Sequence, residues 1–253
     1  MSRIKFLLFL LLLGSCTIRV LPAQERGWGD TWRKPGSAGE RAKQQRTAEI
    51  VREVKAKNFA AAEKNLEAFV RQSPNDAAVR LWTARAHAAM HRYDAALRDC
   101  AEAMRILQED APAAIGEALS VRAQIYAAMG NARASRADLE RAFGTNRKNV
   151  NYNNQLAWLL ATSPDAAVRD GAQAVRYGKA ANALSGGHVP AVLDTLAAAE
   201  AAASDFEAAV RDERQALALA KGDKLHGGDE RLLLYENHQP YREDRPHETL
   251  SAE

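Results

Sequence analysis

Cysteine is almost missing from this chain of 253 residues, which holds Cys16 and Cys100 and no others. Cys16 lies at the end of an apolar N-terminal stretch that export would remove or lipidate, so no intrachain disulfide is available and stability rests on packing. Aromatic residues make up only 6% of the sequence. Clusters and alternating runs of Val and Ile are few, which argues against strands. The apolar run Phe6 to Leu13 is too short to span a bilayer by itself. His-Glu-x-x-His, Gly-x-Ser-x-Gly, a phosphate-cradling glycine loop and Cys-x-x-Cys are all missing, and with them the common signatures of zinc hydrolases, serine hydrolases, nucleotide enzymes and dithiol redox centres. Charge of one sign is lacking too. The formal net charge is +3, and Arg3, Lys5 and Arg19 account for it within the first 23 residues, which carry no acid. A chain cut after Ala23 is neutral, with no electrostatic drive toward nucleic acid or anionic lipid.

What the chain has is repetition. KNFAAAEKNLEAF, HRYDAALRDCAEAM, GNARASRADLERAF and SDFEAAVRDERQAL each follow a turn with small and apolar residues at helical spacing. Phe59 and Tyr93 lie 34 residues apart, and Ala62 and Ala96 follow each by three. Gly130-Asn131 opens a third copy, with Ala132, Ser135, Leu139 and Ala142 in register. Ser204-Asp205-Phe206 opens a later one, with Ala209 and Ala216. A first helix precedes each turn: AVRLWTARAHAAM, GEALSVRAQIYAAM, YNNQLAWLLAT and AVLDTLAAAEAAA. Small residues at helix crossings let backbones approach, while larger apolar ones fill the gaps. The expected fold class is all-α. Between YNNQLAWLLAT and GAQAVRYGKAANAL the tight turn is replaced by SPDAAVRDG, in which Ser163-Pro164-Asp165 stops one helix and caps a short turn.

This pattern resembles the tetratricopeptide (TPR) repeat. Leu156-Ala157 and Leu196-Ala197 stand at the family's Leu-Gly pair, Tyr126 at its Tyr, and Ala62, Ala96 and Ala209 at the first Ala of the second helix. Ala103, Ala142 and Ala216 take the later Ala, and Pro74 the closing Pro. His87 replaces the Tyr in one copy, Cys100 replaces an aromatic, and Ala stands for the Gly. The resemblance spans residues 45–220 and implies a right-handed α-solenoid of about five hairpins that binds a protein or peptide on the concave face lined by first helices. Family register places Arg85, Gln124, Asn154, Trp158 and Asp194 on that face. Trp158 is an aromatic anchor there, or else it packs between repeats. Only Arg85, Asn151 and Asn154 resemble the set that clamps chaperone carboxyl tails, so that ligand is not expected.

The flanks divide the rest. Residues 1–23 read as an export signal, with Arg3 and Lys5 before the apolar core. Two processing routes compete. Pro22-Ala23 suits ordinary cleavage, which is favoured, while Leu13-Gly14-Ser15-Cys16 resembles a bacterial lipoprotein box in which Cys16 would be lipidated. Either route takes the protein out of the cytoplasm, to the periplasm or beyond, with membrane attachment only through such an anchor. Residues 24–44 have linker composition, with Trp28 and Trp32 as candidate docking aromatics. Residues 221–253 read as a loop, a short capping helix from Arg231 to Tyr235, and a polar tail.

Catalytic candidates are thin. His87 and His91 stand one helical turn apart, but a metal site needs a third ligand. His87 occupies an aromatic repeat position and His91 a turn. Asp212-Glu213 reads as a solvated face of a second helix, Cys100 as a packed thiol, and His226 and His238 as loop residues. The sequence therefore points to a non-catalytic, exported adaptor with no cofactor and no metal. The alternatives are a lipoprotein anchored through Cys16 and a metal-dependent cell-wall enzyme using a His site.

Overall fold

The computed structural model describes residues 38–107, 111–220, 225 and 227–243. The leader, Cys16, Trp28, Trp32 and His226 lie outside these residues. Among the described residues the chain is all-α, with eleven helices packed as sequential hairpins. It divides into two compact units between Ala128 and Met129.

In the first unit, α1 (Ala38–Lys55) pairs with α2 (Phe59–Gln72), and α3 (Ala77–Ala89) with α4 (Tyr93–Leu107). The fifth helix, α5 (Pro112–Ala128), lies against both α3 and α4. Helix α1 begins at Ala38, inside the 24–44 stretch whose composition suggested a linker; from Ala38 onward the run AGERAKQQ is made largely of good helix formers. The alanines at the repeat positions sit at the crossings as expected. Ala62, Ala96 and Ala103 are fully buried, and Cys100 is buried among Ala84, Ala88, Val121 and Ile125. Leu66 and Phe69 close a second cluster with Ile50, Val54 and Val79, each such side chain contributing about 2 kcal/mol on leaving water.

In the second unit, α6 (Ala132–Thr145) leads into α7 (Val150–Thr162), which pairs with α8 (Gly171–Leu184). Helix α9 (Pro190–Ala202) pairs with α10 (Phe206–Ala220), and α11 (Gly228–Glu236) covers α10 and the edge of α9. Side-chain caps set the helix starts. Asn131, Asn149, Asp170 and Asp205 accept hydrogen bonds from backbone N–H groups of their own first turns, as Asp76 does in the first unit. In the insertion, Asp165 accepts from Ala167 N–H and a short turn leads into α8. Gly171 opens α8 against the end of α9, where a Cβ would lie 2.6 Å from the Ala202 carbonyl oxygen.

The hairpin turns share one backbone device. Lys57, His91 and Ser204 have φ of 59°, 61° and 67°. The next N–H reaches back to the carbonyl five residues earlier: Asn58 to Glu53, Arg92 to His87 and Asp205 to Glu200, each at 2.9 Å. A left-handed residue closing a helix in this way satisfies its last carbonyls and reverses the chain.

Candidate binding surfaces

Each unit presents its own set of first-helix side chains. In the first unit, Arg85 stands on α3 and pairs with Glu117 of α5, both partly exposed. Gln124 lies farther along α5, half-buried, and its Oε1 has no hydrogen-bond partner. Arg85 and Gln124 thus share a unit and a helix pair, and Glu117 belongs with them. Pattern reading missed Glu117 because the residue that neutralises Arg85 comes 32 positions later.

A second polar cluster in this unit lies between α2, α3 and α4. His87 Nδ1 meets Asp99 Oδ2 at 2.7 Å, its Nε2 faces Glu63 Oε2 at 3.4 Å, and Arg80 donates to Asp99 at 3.2 Å. Arg92 holds Glu63 from the other side. A cleft of about 290 Å³ runs past His87, Thr83, Arg80 and Glu67. His91 does not join: its Nδ1 meets the Tyr93 hydroxyl at 3.0 Å. Among the described residues no three His, Cys, Asp or Glu side chains converge to hold a metal ion.

In the second unit the predicted residues fall into different surroundings. Asn151 is exposed at the start of α7. Asn154 is half-buried, with its Oδ1 unpartnered. Asp194, expected on an open inward face, is only 3% exposed; Arg231 of α11 donates to it at 2.6 Å and seals it. Glu213 of α10 is fully buried beside the same pair. The solvated-face reading of Asp212-Glu213 is therefore overturned: Glu213 is covered by α11, and Asp212 is buried close to Glu200 of α9. Burial pushes the Glu213 carboxyl up to about 10, and the neighbouring Asp194 charge adds to it. Glu213 thus carries a proton at neutral pH and donates to Asp194, leaving one carboxylate to balance one guanidinium. Burial raises Asp194 as well, against the pull of Arg231. Glu200, near the end of α9, is pushed up to about 7 by burial and by Asp212.

Trp158 stands beside this cluster and is neither open nor sealed between repeats. The guanidinium of Arg231 lies 5.6 Å from the centroids of both Trp158 and Tyr241. Tyr241 sits 5.9 Å from Trp158, and the indole N–H donates to Glu243 at 2.7 Å. Arg242 donates to Ala161 O at 2.7 Å, and the Glu243 N–H donates to Thr162 O at 2.8 Å. The expected polar tail thus folds back, through Glu243, onto the end of α7. Burial raises the Glu243 carboxyl, while the indole hydrogen bond opposes the rise. Tyr241 also packs against the core cluster that includes Leu160 and Tyr235, so its ring and these hydrogen bonds hold the segment together.

No protein-family model matches the sequence, and no curated protein matches it significantly. Among solved structures, the chain is similar to the crystal structure of a thermophilic TPR protein from Thermus thermophilus. The TM-score is 0.57 at 18% identity, over 77% of this chain and 97% of that one. At that identity the likeness establishes the fold: an all-helical hairpin repeat of TPR type.

Proposed function

We propose that this chain is an exported, non-catalytic scaffold that binds a protein or peptide through its first-helix side chains. The carrying observation is the TPR-type hairpin array, a fold with no catalytic machinery of its own that exposes successive first helices to a partner. Arg85, Gln124 and Asn154, each partly exposed on a first helix, are the readers of that partner. Export is motivated by the basic, apolar leader, with cleavage after Ala23 favoured over lipidation at Cys16.

The binding claim is tested by crosslinking the full chain in envelope extract beside an Arg85→Ala/Gln124→Ala/Asn154→Ala variant of equal helix content. A protein recovered with the first and lost with the second is the expected result. Equal recovery, or none from either, contradicts it. For export, a mature N-terminus at Gln24 is expected from a bacterial host; a lipid-bearing Cys16 would instead place the scaffold on a membrane, and an intact leader would refute export.

A further inference from the structure

Helix α11 ends as the first helices of the hairpins do. His238 has φ 55°, and Gln239 N–H reaches Leu234 O at 2.8 Å. Where a second helix would begin, Pro240 follows, the chain adopts no regular structure, and it runs to the end of α7. The contacts it makes there are those of a docked peptide. Main-chain and guanidinium donors take the last carbonyls of α7, which no helical N–H can satisfy. An aromatic ring and a carboxylate take the indole of Trp158.

We propose that the face of α7 around Trp158 binds an extended segment of a partner protein carrying an aromatic residue and, two positions on, a carboxylate, and that Tyr241 to Glu243 occupy this site in cis until such a segment displaces them. The proposal deepens the scaffold reading and rests on it. The indole nitrogen can only donate, so its ligand must bring an acceptor, and the guanidinium of Arg231 lies against both rings and favours an aromatic beside the indole. Contacts to Ala161 O and Thr162 O read only the backbone or a flexible donor, so selectivity falls to the aromatic and the acid. An intramolecular occupant lowers apparent affinity by the fraction of time it is seated.

The test uses the full chain, a Tyr241→Ala/Glu243→Ala variant, and a fluorescein-labelled peptide of the sequence of residues 237–244, NHQPYRED, followed by anisotropy. The opened variant should bind the peptide at least tenfold more tightly than the unsubstituted chain, and Trp158→Phe in that background should lose most of the gain. In the unsubstituted chain, excess peptide should speed exchange of the Glu243 amide, a readout that does not depend on the variants folding. Equal affinity of the two chains, equal binding of a peptide with Tyr and Glu interchanged, or a stable dimer in which a second copy fills the site would each overturn the proposal. If these fail while the envelope capture still depends on Arg85, Gln124 and Asn154, only the cis-occupied site falls; if both fail, the scaffold reading falls with it.

Discussion

The two units handle buried polarity in opposite ways. In the first, His87, Asp99, Glu63 and Arg80 meet along a cleft, where water reaches part of the cluster. In the second, Asp194, Glu213 and Arg231 are at most 3% exposed, and their charges must balance among themselves. Helix α11 lies over α10 and the edge of α9 at this cluster. Helix α11 seals the stack by driving one guanidinium onto two carboxyls, and the same guanidinium then supports the rings of Trp158 and Tyr241.

Removing that guanidinium should erase the contrast most severely. Arg231→Met leaves a carboxylate buried without a cation, and about 3–5 kcal/mol of the second unit's stability should be lost. Denaturant melts followed by hydrogen exchange would show α9 to α11 unprotected while α1 to α5 keep their protection. Gly171→Ala should come next, at about 2–3 kcal/mol, because the added Cβ overlaps backbone atoms of Ala202 that cannot move aside. A thermal melt would register it, and an unchanged midpoint would mean that α8 and α9 pack less closely at this point.

The acid cluster also predicts that the stability of the second unit depends on pH through Glu213 and Glu200. Glu213 and Glu200 are raised in the fold, to about 10 and about 7 from an ordinary value of 4.5. A raised carboxyl keeps in the folded state a proton that the unfolded chain gives up, so its favourable contribution is complete below pH 4.5 and declines as pH rises through these values. The second unit should therefore melt lower at pH 8 than at pH 5. Glu213→Gln, which still offers a donor to Asp194, should raise stability at pH 8 by about 1–2 kcal/mol and flatten the slope, while Glu213→Lys should collapse the cluster. A slope unchanged in Glu213→Gln would mean that this group is not the one titrating. The smallest effect belongs to the shared turn. His91→Gly relieves a left-handed residue at its helix end, and a gain of about 0.5–1 kcal/mol in a urea melt is expected.

Much of the fold was legible because TPR-type packing is local. The spacing of Ala62, Ala96 and Ala209 was readable, and all three are fully buried at crossings. The insertion after Thr162 was readable for the same reason, since proline and capping residues act within a few residues of themselves, and the expected short helix from Arg231 to Tyr235 lies inside the longer Gly228–Glu236. The sites were less so. Glu213 looks solvated on its own helix and is buried only because α11, a further turn of the stack, lies over it. The surroundings of Trp158 depend on Tyr241 and Glu243, more than eighty residues later, and no periodicity links them. Asp194 sits where the repeat resemblance placed it in the sequence, yet its environment is decided by Arg231, whose partners the lid reading did not name.

Binding through first helices is tested most squarely by a hydrogen-exchange footprint of the full chain with and without a protein captured by crosslinking. Protection gained on binding is expected on first helices, on α3 and α5 around Arg85 and Gln124 and on α7 around Asn154. Protection confined to the second helices α4, α6 and α10, or none at all, would contradict a scaffold that reads its partner through those side chains.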